Sequence, residues 1–117
     1  MAGIRRDTYK DGMPMGEGPI LDGKKHGKWC NWYRNGQVKA EGNFVQGEFD
    51  GSWTWWRENG ELLQKGNFVD GKQSGTWQRW HDNGALMDEG MWHAGKRSGD
   101  WVFYNPDGSI RKKQTFR

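Results

Sequence analysis

The chain repeats itself every 24 residues, and glycine carries the repeat. Copies start at Glu17, Glu41, Lys65 and Glu89, with a truncated fifth at Lys113, and nothing is inserted or deleted between them. Glycine returns at position 2 (Gly18, Gly42, Gly66, Gly90) and position 7 (Gly23, Gly47, Gly71, Gly95). It returns again at position 11 (Gly27, Gly51, Gly75, Gly99) and position 20 (Gly36, Gly60, Gly84, Gly108). A glycine every few residues costs a helix about 1 kcal/mol each. Helix is thereby disfavoured, and glycine here belongs to the architecture.

Aromatic residues keep the same period. Position 13 is Trp29, Trp53, Trp77 and Trp101; position 16 is Trp32, Trp56, Trp80 and Tyr104. Position 4 is Ile20, Phe44, Phe68 and Trp92, with Phe116 in the partial copy. Position 20 closes Asn35-Gly36, Asn59-Gly60, Asn83-Gly84 and Asp107-Gly108, dipeptides that suit a type I′ hairpin turn. Counting outward from such a turn pairs position 17 with 22 and 15 with 24. It also pairs 13 with position 2 of the next copy and 11 with its position 4. Trp29, Trp53 and Trp77 then face Gly42, Gly66 and Gly90, while Gly27, Gly51, Gly75 and Gly99 face Phe44, Phe68, Trp92 and Phe116. Each large ring is expected to cover a bare backbone. Only Trp101, facing Gln114, departs from this. The glycine at position 7 is expected to close a second turn.

These counts predict an all-β chain: an elongated, single-sheet antiparallel meander of tandem β-hairpin repeats. Residues 1–16 are expected to be an N-terminal half-repeat cap, with Arg5 on the Trp position. Residues 17–40, 41–64, 65–88 and 89–112 are four repeats, and 113–117 form the last strand of a fifth. Atypical terminal copies are what capping an array requires. Composition agrees. Leu, Ile, Val and Phe number only 16, about 14% of the chain, yet nine Trp are present. That supports cross-strand aromatic packing and excludes a thick core.

Little points to catalysis. His26, His81 and His93 fall at different repeat positions, and the lone Cys30 excludes an internal disulfide or a paired-Cys metal site. No catalytic residue, metal ligand or cofactor is expected. No run approaches the roughly 18 apolar residues of a membrane span and no signal-peptide core follows Met1, so a cytoplasmic location is the default expectation. The net charge of +3 is concentrated in Arg5, Arg6, Lys10, Arg111, Lys112, Lys113 and Arg117. Basic residues there discourage end-to-end pairing of terminal strands.

Gly51-Ser52-Trp53-Thr54-Trp55-Trp56, then Asn59-Gly60, then Lys65-Gly66-Asn67-Phe68-Val69-Asp70-Gly71 resembles the MORN-repeat-variant family, a relative of the membrane occupation and recognition nexus repeats. The resemblance covers residues 17–117. Lys65 for an acidic residue, Ile20 for an aromatic and Asp107 for Asn depart from the pattern without disturbing its spacing. It implies an elongated hairpin array used for protein contacts, with antitoxin-like or immunity-like bacterial members, a wider association with membranes, and no transferable catalytic residues.

The leading expectation is a non-enzymatic module that binds a protein partner. Trp29, Trp53, Trp77, Trp101, Gly18, Gly42, Gly66 and Gly90 are assigned to structure. Strand alternation puts positions 13 and 16 on opposite faces. Candidate contact residues are Trp32, Trp56, Trp80 and Tyr104, together with apolar residues that break the repeat: Phe49 and Trp55 on the position-13 face, Leu63 and Met87 with the position-16 row. Carbohydrate stacked on the Trp/Tyr row is a competing expectation. So is an anionic membrane held by Lys24, Lys72, Lys96 and the basic ends. Nucleic acid ranks last for want of a recognition motif, and pairing of exposed edge strands into a homodimer stays open.

Overall fold

The computed structural model describes residues 2–117; Met1, the first residue of the expected cap, lies outside the described residues. The strands are β1 Ala2–Thr8, β2 Pro14–Leu21, β3 Lys24–Lys25, β4 Gly27–Trp32, β5 Val38–Val45, β6 Glu48–Trp56, β7 Leu62–Val69, β8 Lys72–Trp80, β9 Leu86–His93, β10 Lys96–Tyr104 and β11 Ile110–Phe116. They form one antiparallel sheet in chain order, β1-β2-β4-β5-β6-β7-β8-β9-β10-β11, with β3 also paired to β2. β3 and β4 are one strand interrupted at His26, next to Gly27, where φ is 111°. The molecule measures 47 × 31 × 16 Å, so strands spaced about 4.8 Å apart account for its length and a single layer for its depth.

The expected register holds through the middle of each hairpin. Trp29, Trp53 and Trp77 pair with Gly42, Gly66 and Gly90, and Gly27, Gly51, Gly75 and Gly99 with Phe44, Phe68, Trp92 and Phe116. The turns differ from expectation. At Asn35-Gly36 only the glycine has positive φ, 89°. Tyr33 N–H donates to Gln37 O at 2.8 Å and Gly36 N–H to Tyr33 O at 3.0 Å. This is a three-residue loop, a type I turn closed by a left-handed glycine. Asn belongs there because its Oδ1 accepts the Gln37 N–H at 2.9 Å. The type I′ geometry sits at the other end of the hairpins. Asp22-Gly23, Gln46-Gly47, Asp70-Gly71 and Ala94-Gly95 have positive φ at both residues.

The longer turn should have displaced the register by one, and position 16 does pair with 22 rather than 17 with 22. A compensating β-bulge at position 23 (Lys39, Leu63, Met87, Arg111) restores it, because the ladder steps from Trp56↔Leu62 to Trp55↔Gln64.

Ring placement also differs. The indole over Gly42 belongs to Trp53, and those over Gly18, Gly66 and Gly90 to Trp29, Trp77 and Trp101. Each position-13 Trp therefore lies on the position-2 glycine of its own copy, and Trp101 is no exception. No ring covers Gly51, Gly75 or Gly99. They have open space around them and φ of 68–74°, so glycine is there for its backbone. The left-handed residue makes a bulge: the β5–β6 ladder skips from Asn43↔Asp50 to Glu41↔Thr54. That gap frees the Asn43 carbonyl, and Trp53 Nε1–H donates to it at 2.9 Å. Trp29, Trp77 and Trp101 do the same to Pro19, Asn67 and Met91 at 2.7, 3.1 and 3.0 Å. Indole answers both demands, a broad ring for the glycine and a donor for the orphaned carbonyl. Burial of roughly 200 Å² per indole stabilises by about 5 kcal/mol at about 25 cal/mol/Å², which is how a sheet of this polarity coheres.

Candidate interaction surface on the aromatic face

Positions 4, 9, 13 and 15 share one face, and their rings touch across strands. Trp29, Trp53, Trp77 and Trp101 are buried, as are Phe44, Phe68 and Phe103. In the second repeat this packing is densest. Phe49 stacks between Phe44 and Phe68, at centroid distances of 5.1 and 4.8 Å. Trp55 lies between Trp53 and Trp77, 5.8 Å from each and tilted only about 30° from both. Phe49 is nonetheless 39% exposed and Trp55 half-buried, so both contribute to the outer surface of the stack.

The third repeat interrupts it. Gln73 stands where Phe49 does and Arg79 where Trp55 does, with Asp88 in place of Gln64. Arg79 Nε bonds both carboxylate oxygens of Asp88, at 3.2 and 3.1 Å, and Nη2 adds a short bond to Oδ2. Asp88 is 1% exposed, and this bonding raises the Arg79 pKa above the usual arginine value. The two missing rings leave a cavity of about 220 Å³ lined by Gln64, Gln73, Trp77, Arg79, Asp88, Trp92, Arg97 and Trp101. The Arg97 guanidinium lies 4.9 Å from the Trp101 centroid, 5.6 Å from Phe116 and 5.8 Å from Trp92. In its own repeat it fills the place that Phe49 fills in the second.

The opposite face is polar at its centre, where Lys28, Asn43, Ser52, Asn67, Thr76, Gln78 and Glu89 alternate with the buried row. Alternation along β4, β6, β8 and β10 puts Trp32, Trp56, Trp80 and Tyr104 on that side, half-buried, near the Asn-Gly turns. Among the described residues they enter no ring contact with one another or with the aromatic face. Leu63 and Met87 are the half-buried extra residues of the position-23 bulges.

Sequence reading missed position 17. Tyr9, at the equivalent place in the cap, donates through its hydroxyl to Trp32 O at 2.7 Å, and Tyr33 to Trp56 O at 2.7 Å. Arg57 donates to Trp80 O at 2.9 Å, and His81 Nε2–H to Tyr104 O at 2.9 Å. A long side chain carrying a hydrogen-bond donor recurs there, a signal invisible to a search for identical residues. These bonds bind one repeat to the next and give His81 a structural role. Asn35 and Asn83 reinforce them by donating to Glu58 O and Pro106 O.

Cys30 lies on the polar face, and burial beside Glu41 and Glu17 pushes its thiol up from the ordinary range, away from the thiolate a nucleophile needs. Among the described residues no cluster of His, Cys, Asp or Glu is grouped to hold a metal. Lys24, Lys72 and Lys96 are exposed along one edge, where Glu48 occupies the matching position of the second repeat.

No curated protein matches the chain. The family model for the MORN repeat variant matches residues 25–46, 49–70 and 97–117. The windows start 24 and 48 residues apart, in phase with the glycine period, and together span more than half of the chain. MORN repeats generally serve as protein- or membrane-binding modules and are generally non-enzymatic. The chain belongs to the MORN repeat variant family.

Proposed function

We propose that the chain is a non-enzymatic protein-binding module that engages one partner protein through its aromatic face, with Phe49 and Trp55 at the centre of contact. The observation that carries this is the partial exposure of Phe49 and Trp55 on top of an aromatic stack that no second layer covers. Rigid aromatic groups of this kind dominate binding energy at protein interfaces. A neutralising, antitoxin-like role is a narrower form of the same proposal and rests on family resemblance alone. Membrane attachment through Lys24, Lys72 and Lys96 has less support, because Glu48 breaks the row and surface charge acts cumulatively.

Capture from source lysate with wild type, Phe49→Ala and Trp56→Ala, each checked for fold by circular dichroism, tests the reading. Phe49→Ala is expected to reduce the captured protein by about tenfold, the scale of a modest hot spot, and Trp56→Ala to leave it unchanged. A folded Phe49→Ala that captures as much as wild type overturns the assignment. Loss in Trp56→Ala instead moves the contact to the Trp32, Trp56, Trp80 and Tyr104 row with Leu63 and Met87.

A further inference from the structure

Four cations rest on rings of the aromatic face without a counter-ion. The Lys25 ammonium lies 4.7 Å from the Trp29 centroid and 5.1 Å from that of Phe44. The Lys112 ammonium and the Arg111 guanidinium lie 5.0 and 5.6 Å from Phe103, and Arg97 sits over Trp92, Trp101 and Phe116. Among the described residues none of the four has a carboxylate ion-pair partner. On the opposite face the chain does supply carboxylates, since Arg6 pairs with Glu17 and Lys28 with Glu41. The carboxylates that strand alternation puts on the aromatic face, Asp7 and Asp88, are held by Arg5 and Arg79. The excess of four positive charges along the strands of this face is larger than the net +3 of the whole chain.

The charges are also ordered. Position 9 reads Lys25, Phe49, Gln73 and Arg97, so the partly exposed Phe49 has a cation on either side along one row. At about 4.8 Å between strands, Lys25 stands two strands, about 10 Å, to one side of Phe49, and Arg97 four strands, about 20 Å, to the other.

This surface conflicts with several occupants. A second copy would set uncompensated cations against their like. Bases and sugars stack on open ring faces, but Phe49 is covered by Phe44 and Phe68 and Trp55 by Trp53 and Trp77. Only ring edges reach the surface, and rings wedged in this way cannot enter the acyl boundary of a membrane. A protein surface needs no open ring, because side chains pack on ring edges while carboxylates pair with the cations.

We infer that the aromatic face receives an acidic protein surface, with carboxylates on Arg97, Lys112 and Lys25 to either side of a small apolar contact on Phe49 and Trp55. This rests on the protein-binding reading and adds the partner's charge to it. Arg97 is the anchor: three rings hold its guanidinium in place, so the planar fork meets a carboxylate with little ordering left to do.

Lys25→Gln with Arg97→Gln copies Gln73 into the first and fourth repeats, a residue that this position already accommodates, and removes two charges. Source lysate is passed over wild type, this double variant and Phe49→Ala at about 50 and about 500 mM salt, and captured protein is identified by mass spectrometry. The protein that Phe49→Ala loses is expected to carry a net negative charge. It should bind at least about tenfold less at the higher salt and about tenfold less to the double variant. In parallel the full chain is titrated with acetyl-Glu-Glu-Leu-Leu-Glu-Glu-amide while the Arg97 Nε–H and Trp55 indole N–H resonances are followed. Saturable shifts at both are expected below about 10 mM peptide, with binding at least about fivefold weaker when Lys replaces each Glu.

The inference is overturned by a captured protein that is neutral or basic, or that binds the double variant as well as wild type. It is also overturned by a peptide that shifts neither resonance. Shifts produced by oligothymidylate or by phosphatidylserine vesicles and not by the peptide would give the face to a nucleic acid or a membrane, and a concentration-dependent dimer lost in Phe49→Ala would give it to a second copy. Should Phe49→Ala lose captured protein while the double variant loses none, the acidic assignment is refuted and the protein-binding reading stands. Should Phe49→Ala lose none, that reading falls and the inference with it.

Discussion

At Gly66 and Gly75 one amino acid meets two different physical demands. A Cβ added at Gly66 would overlap the Trp77 indole, which is itself 3% exposed and anchored by Nε1–H bonds to Asn67 O and Ser74 O. The ring cannot retreat without giving up those bonds. At Gly75 the space is open, but φ is +74°, a conformation that costs an L residue about 1–2 kcal/mol. Gly66→Ala is therefore expected to destabilise by about 3 kcal/mol, the upper range for overpacking, and Gly75→Ala by about 1 kcal/mol. Urea unfolding followed by Trp fluorescence separates the two. Equal losses would mean that close approach of the indole does not govern position 2. Asn in place of Ala at position 75 should recover part of the loss, because its side chain tolerates the left-handed region, whereas no residue with a Cβ should rescue position 66.

At the scale of the hairpin, the two ends use different turns, and the left-handed residues show where the design is unfinished. Asp22, Gln46, Asp70 and Ala94 all have φ near +50° at the first central position of a type I′ turn. Asp tolerates that conformation through local hydrogen bonding; Ala has no such means. Ala94 is exposed, so Ala94→Asn is expected to raise stability by about 0.5–1 kcal/mol, measured as a higher urea midpoint with an unchanged slope. A lower midpoint would refute the I′ assignment. The same turns mark how far the fold was legible in the sequence. The 24-residue spacing was enough for the order of strands and for Trp53 opposite Gly66. The turn type was not legible, because Asn-Gly suits both a two-residue I′ loop and a type I turn with a left-handed glycine. Two one-residue differences, the longer turn and the bulge at Leu63, cancelled and left the inner register intact. The ring over each glycine was misassigned because counting along a ladder identifies the opposite Cα and not where an indole leans after a bulge. The Arg79–Asp88 pair was legible only as a break in the repeat, since the two residues are nine apart and their pairing requires the register.

Over the whole molecule, each strand hydrogen-bonds only its chain neighbours, and the donors at position 17 reach only into the next repeat. Stability in such an array is close to a sum over repeats and the interfaces between them. A globular core of this size would collapse if a fifth of it were removed, whereas this sheet should lose a repeat and close up. Deleting residues 65–88 joins Gln64 to Glu89, keeping the repeat in phase. Trp53 then faces Gly90, Trp101 still covers Gly90, and Trp55 packs against Trp101 in place of Trp77. The shortened chain is expected to remain a folded β-sheet with cooperative unfolding and a lower melting temperature. Its longest dimension, 47 Å in the full chain, should fall by about 10 Å, two strand spacings, as read by small-angle scattering. An unfolded deletion would show that the repeats do not stack as interchangeable units, and that the third supports the others through contacts beyond its two neighbours.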